Sequence, residues 1–265
     1  MSKHADIAII GGTGVYDPGL LSDKEEVKVY TPYGDPSDLI TVGKYADRSV
    51  AFIPRHGKGH RIPPHKIPAR ANIWALKQLG VVRILAPAAV GSMKMELKPG
   101  DIAIPDQFVD FTKSRQYSFY DGGEVCHVSA ADPFCPELRE LAVKTARGIN
   151  LNTHDRATYV CIEGPRYSTR AESRFFKDYA KADIIGMTLV PECVLAREAE
   201  ICYLSIASVT DYDVWAEKPV STKEVIETLG KNVENTRKLL AELILKIPLT
   251  RHKCDCGKAL EGAKL

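Results

Sequence analysis

The chain has 265 residues, 45% of them hydrophobic, with 36 Lys and Arg against 34 Asp and Glu and a formal net charge of +2. That is enough apolar material for one sizeable core. The even charge balance argues against a nucleic-acid binder with a basic face and against a polybasic membrane anchor, and no apolar run approaches the roughly 20 residues needed to span a bilayer. Met1 to Asp6 leads straight into an apolar segment, with no room for a secretory signal, so the expected location is cytoplasmic.

In chain order, Ile7–Ile10 predicts a short buried strand, Val50–Ile53 a second and Arg83–Ala86 a third. Between the last two, Ile73, Leu76 and Leu79 share one helical face, and Gly80 supplies a stop. Asp101–Pro105 predicts a strand ended by proline, Pro136–Asn150 a helix, Tyr159–Ile162 a strand and Thr169–Lys181 a helix. Ile184-Ile185 is short and extended, Pro191–Glu200 is helical, and Ile201–Val209 is the longest strand candidate. Ser221-Thr222-Lys223-Glu224 reads as a capping box for a final helix that ends near Pro248 and is interrupted at Gly230. The polar tail beyond Thr250 is expected to be loose. This alternation predicts an α/β layer fold with a mixed or parallel sheet, whose sites lie at the carboxyl ends of strands.

The chemistry-bearing motifs fall just after those strands. Gly11-Gly12-Thr13-Gly14 follows the first, where glycines can turn backbone N–H groups toward an anion and Thr13 can add a hydroxyl. A plain tight turn is the simpler reading. A dinucleotide fingerprint fails because Asp17 stands where the third glycine belongs. Arg55-His56-Gly57 follows the second strand and opens a stretch carrying Lys58, His60, Arg61, His65, Lys66 and Arg70. No aromatic residue lies between Arg55 and Arg70 to stack a base, so an anion-binding loop is favoured over a nucleic-acid contact. Ala88-Ala89-Val90-Gly91-Ser92 follows the third strand with side chains small enough for close approach of a ligand. Asp211 and Asp213 follow the longest strand. They suit a general acid with its helper, a structural salt bridge or, least of all without a His or Cys cluster, a metal.

Seven cysteines are many for a chain of this kind. Cys161 and Cys193 read as buried apolar thiols. Cys254-Asp255-Cys256 is a C-x-C without a second pair, so a local disulfide or a bridge to the body ranks above a metal site.

With these loops in view, the chain resembles the methylthioadenosine phosphorylase branch of the trimeric purine nucleoside phosphorylase superfamily, over roughly residues 6–247. The likeness rests on Ile9–Gly14, Arg55-His56-Gly57, Ala71–Lys77, Gln116–Gly122, Ile162–Ser168, Gly186-Met187-Thr188, Val190-Pro191-Glu192 and Thr210–Asp213. It implies a nucleoside phosphorylase fold, namely a mixed, partly barrel-like sheet flanked by helices in one domain over 1–250, followed by a Cys-containing tail over 251–265. It implies phosphorolysis of 5′-methylthioadenosine, with action on 6-oxopurine nucleosides or methylthioinosine as the alternative. Phosphate, a co-substrate, would be held by Thr13, Arg55, His56, Ala88, the backbone at Ala89, and Thr188. Met187 would lie against the ribose, and Tyr167 and Ser168 would hold the purine. Asp211 would face N7 and the exocyclic amine with Asp213 beside it as the catalytic pair, Asp213 helping to keep Asp211 protonated. Thr222 and Ile226 would border the 5′ group, and His127 would reach a neighbouring subunit's site. The assembly would be a homotrimer or homohexamer, binding neither nucleic acid nor membrane, and no metal or organic cofactor would be required. The chain departs from the family's usual pattern at Ala88, where a hydroxyl residue is common, at Pro68-Ala69, and at Gly186, where close relatives often have Asn. The tail resembles that of archaeal thermophilic members whose C-x-C cysteines form disulfides, with Cys135 and Cys202 as candidates for a further bridge.

Overall fold

Ile7–Gly11 form β1, in which every residue is buried. The structure is a computed structural model that describes residues 4–12, 15, 19–215 and 222–265; for residues 222–227 and 229 it describes the backbone alone. β1 lies between two parallel neighbours, β4 (Arg48–Pro54) and β5 (Arg83–Ser92). Beyond β4 come the antiparallel β3 (Ile40–Tyr45) and β2 (Ser22–Val27).

The sheet forks on β5. β1 pairs only with Arg83–Leu85, whereas β11 (Cys202–Asp211) runs parallel to β5 from Arg83 to Gly91. Past the end of β1, β10 (Ile184–Gly186) pairs antiparallel with Gly91 and Ser92, and β9 (Thr158–Ile162) and β7 (Gln107–Phe111) extend that branch. β11 also pairs with β6 (Ile102–Ala103), and β6 with β8 (Thr153–His154). The sheet is therefore mixed.

Helices cover both faces, as the period-2 alternation of the strands requires. Ala8 and Ile10 of β1 pack with α1 (Ala69–Gln78) and α4 (Glu192–Glu198). Ile7 and Ile9 point the other way, to the core shared by α2 (Pro136–Gly148) and α5 (Thr222–Lys246). On α5, Leu239, Leu240, Leu243 and Ile244 are all buried. Each such side chain stabilises the fold by roughly 1.5–3 kcal/mol relative to exposure. α3 (Arg170–Asp178) opens on a complete capping box between Thr169 and Glu172 and sets Phe176 against Met93, Val160 and Ile185.

The structure differs from the sequence expectation in four places. β5 continues through Pro87 to Ser92 where a loop is expected. Pro87 is tolerated because its carbonyl, and hence its missing N–H, faces Arg55, whose Nη1 donates to that carbonyl at 2.9 Å. α5 runs without interruption through Gly230. The tail is not loose: Arg251 donates to the Glu200 carbonyl, the Leu265 N–H to the Val125 carbonyl at 3.0 Å, and Cys256 is buried. All seven cysteines stand as free thiols, so neither expected bridge, Cys254–Cys256 or Cys135–Cys202, is formed. The expected capping box at residues 221–224 lies outside the described side chains.

Candidate active site

A cavity of about 490 Å³ opens where β5, β10 and β11 end. Arg55, His56, Ala88, Ala89 and Thr188 line it together with Tyr167, Ser168, Met187, Asp211 and Asp213. Residues separated by up to 158 positions in the chain, Arg55 and Asp213, thus share one space. The sheet topology explains this, since β5 and β11 are parallel neighbours whose carboxyl ends coincide.

At the basic end, Arg55 is buried, and Glu192 at the start of α4 grips its guanidinium with two bonds, Nε–H to Oε2 at 2.7 Å and Nη2–H to Oε1 at 2.8 Å. The Tyr203 hydroxyl donates to Glu192 Oε1 at 2.7 Å. Burial works against the Arg55 charge, but Glu192 outweighs it and raises the pKa. Three of the five guanidinium N–H groups are engaged, with Glu192 and the Pro87 carbonyl. The fork is held rigidly by protein, and among the described residues the other two N–H groups have no partner, which leaves them to a ligand. Gly12 makes the approach possible: a Cβ there would meet the Pro87 oxygen at 2.4 Å and Arg55 Nη1 at 2.8 Å.

Burial lowers the pKa of His56 to about 4, so the ring is neutral at neutral pH. Its Nδ1 lies 2.9 Å from the Ile62 carbonyl, an acceptor, and therefore carries the proton. Nε2 is left as an acceptor, suited to a phosphate hydroxyl. The His60 ring stacks on His56 with centroids 4.2 Å apart, and burial lowers its pKa as well.

At the acidic end, Asp211 closes β11. Its Oδ1 accepts the Asp213 N–H at 2.8 Å and its Oδ2 accepts the Thr210 hydroxyl at 2.6 Å. Gly91 of β5 leaves room for this carboxylate, because a Cβ there would lie 2.9 Å from Asp211 Oδ1. Asp213 is 4% exposed and adopts a left-handed φ of 51°. Burial pushes its carboxyl above the ordinary value, and the charges of Asp211 and Glu172 add to the shift; the Ser173 hydroxyl and the Val214 N–H oppose it. Ser168 Oγ is buried and has no hydrogen-bond partner among the described residues, which leaves it available to a ligand.

A model of the phosphorylase superfamily matches residues 6–245. The chain belongs to the phosphorylase superfamily. It is 62% identical over 264 residues to the S-methyl-5′-thioadenosine phosphorylase of Nitrosopumilus maritimus, covering 100% of both chains. It is 59% identical to that of Saccharolobus solfataricus, covering 99% of this chain and 98% of the relative. Among solved structures, a methylthioadenosine phosphorylase from an antarctic soil metagenomic library is 46% identical with a TM-score of 0.93, over 99% of this chain and 93% of that one. A mutant adenosine/methylthioadenosine phosphorylase of Schistosoma mansoni, in complex with methylthioadenosine, is 39% identical with a TM-score of 0.89, over 98% and 96%.

As a member of this superfamily, the chain brings most of the sequence-predicted site residues to one cavity. Thr13 and the side chains of Thr222 and Ile226 lie outside the described residues. His127 does not line the cavity; its N–H donates to the Ala263 carbonyl of the tail at 2.7 Å. Sequence reasoning assigned no role to Glu192, the counter-charge of Arg55, or to Ser173, whose hydroxyl donates to Asp213 Oδ2. The signal for Glu192 was the need of a buried arginine for a carboxylate. Ser173 lies one turn beyond the α3 cap, on its buried face, and nothing in its residue type marked it.

Proposed function

We propose that this chain cleaves 5′-methylthioadenosine with inorganic phosphate, giving adenine and 5-methylthioribose 1-phosphate. The observation that carries the reading is the single cavity with a cationic, histidine-bearing end and a paired-carboxylate end. Phosphate rests against the two remaining Arg55 N–H groups, His56 Nε2, the backbone at Ala88 and Ala89, and Thr188, with Thr13 as a further donor. The ribose lies over Met187, and the purine packs against Tyr167 within bonding reach of Ser168. As the C1′–N9 bond stretches, the sugar becomes cationic and the phosphate oxyanion both stabilises it and attacks C1′. The purine leaves with a proton delivered at N7 by Asp211, and the neighbouring Asp213 charge favours the protonated form of that carboxyl. Asp211 also accepts from the 6-amino group. A 6-oxopurine would instead set an acceptor against the carboxylate, so the methylthioadenosine reading stands above action on inosine-type nucleosides. No organic cofactor or metal enters these steps.

The relatives named above support the same reading. Thr222, Ile226 and a neighbouring subunit's His127 are the proposed borders of the 5′ pocket. A homotrimer or homohexamer would cover the exposed Phe111, Phe175 and Tyr179 beside the site, and light scattering on the eluting protein tests this, since a monomer would contradict it. Among the described residues no helix is long and apolar enough to cross a membrane, which is compatible with the proposed cytoplasmic location.

The test is adenine release from methylthioadenosine with and without phosphate, with inosine alongside. Phosphate-dependent release and slow turnover of inosine are expected. Release at an equal rate without phosphate would mean a hydrolase.

A further inference from the structure

Beyond the cavity, four thiols that the sequence places far apart come together. We propose that Cys135, Cys202, Cys254 and Cys256 form a site for one thiophilic divalent cation, zinc, that ties the C-terminal segment to the body of the fold. Their sulfur atoms all lie within 4.8 Å of one another, and all but Cys254 are buried. Cys202 and Cys254 Sγ are 3.5 Å apart. Tetrahedral zinc–thiolate coordination, with bonds of about 2.3 Å, places sulfurs about 3.8 Å apart, so adjustments of an ångström or less complete it.

The four come from three elements with independent anchors. Cys135 precedes α2, and its N–H donates to the Tyr203 carbonyl at 3.1 Å. Cys202 opens β11 in register with Arg83 of β5. Cys254 and Cys256 flank Asp255 in the tail. None of the four is paired in a disulfide, and every sulfur is near all three others, as the four ligands of a single ion are.

The surroundings match the charge. Four thiolates around a dication carry two net negative charges, and the Arg83 guanidinium lies against them. Its Nη1 is 3.0 Å from Cys202 Sγ, 3.9 Å from Cys254 and 4.0 Å from Cys135. The centre of a regular tetrahedron of edge 4.8 Å is only about 2.9 Å from each vertex. Arg83 therefore caps the cluster from outside and leaves its interior to the ion. Arg83 is itself fixed, with Nη2 on Glu137 Oε2 at 2.8 Å and on the carbonyls of Pro248 and Thr250, as outer partners of a metal site are. Cys202 and Asp211 stand at opposite ends of β11, about 30 Å apart at 3.3 Å per residue, so the ion's role is structural.

The test uses the full chain purified under reducing conditions without chelator. Elemental analysis should find about one zinc per chain. After removal of the zinc, added Co²⁺ should give thiolate-to-cobalt charge-transfer and tetrahedral d–d absorption. Cys256→Ser should abolish both signals and lower Tm, with methylthioadenosine turnover at moderate temperature unchanged. If that variant fails to fold, the cobalt spectrum of the wild-type chain decides. Absence of bound metal together with no cobalt spectrum would overturn the proposal, as would mass spectrometry showing these cysteines paired in disulfides.

Discussion

Asp211 is the residue on which substrate choice turns in this account. A carboxyl there accepts from the adenine amine and offers its proton to N7, while an amide can donate to an oxygen at C6. Asp211→Asn should lower the ratio of kcat/KM for methylthioadenosine over inosine by roughly 10-fold or more, corresponding to 1–3 kcal/mol for one mismatched buried polar pair. An unchanged ratio would remove Asp211 from base recognition. His56 makes a separate prediction. Its folded pKa of about 4 lies below the ordinary 6.5, so below pH 6.5 the unfolded chain takes up a proton that the folded chain refuses. Stability present above pH 6.5 should decline as pH falls toward 4, by on the order of 3 kcal/mol in total. Urea unfolding across that range should show this component in the wild type and not in His56→Gln; identical slopes would contradict the neutral, buried ring. The sequence singled out Arg55 and His56 as candidates for holding an anion, and both line the cavity. The capture of Arg55 by Glu192 was not legible there, because the carboxylate lies 137 residues away and arrives only when α4 packs against α1 and β11.

At the scale of elements, the strands and helices with apolar periodicity were readable, as β1, α1, α2, β9 and β11 show. At α1, Gly80 does end the helix, with a φ of 85°. β2 was missed because Ser22–Val27 is Ser-Asp-Lys-Glu-Glu-Val on an exposed sheet edge, with neither face buried enough to impose alternation. The far half of β5 was missed because Pro87, Ala88, Ala89 and Gly91 carry no strand signal, although small side chains there are what make room for a ligand and for Asp211. Gly186 on β10 has a similar explanation. A Cβ at this position would lie 1.9 Å from the Tyr159 hydroxyl oxygen, so the fully buried tyrosine of β9 fills the space a larger residue would need. Gly186→Asn should therefore destabilise the chain by about 1–3 kcal/mol as overpacking, and Tyr159→Val in the same chain should recover part of the loss. Thermal unfolding of the single and double variants checks this; additive losses would show that the two positions do not compete for space.

Over the whole molecule, β11 organises two separate jobs. Its carboxyl end delivers Asp211 to the cavity, and its amino end delivers Cys202 to the thiol cluster that meets the tail. The C-x-C of the tail was visible in the sequence, but its partners, Cys135 and Cys202, could be placed only by the fold. The cavity has the same origin, since β5 and β11 align the ends of segments that lie far apart in the chain. Crystals of the protein grown with phosphate and adenine would test the central claim most directly. The account predicts phosphate against Arg55, His56 and the backbone of Ala89, and adenine in the same cavity with N7 within hydrogen-bond distance of Asp211. Adenine bound away from Asp211, or phosphate bound outside that cavity, would contradict it.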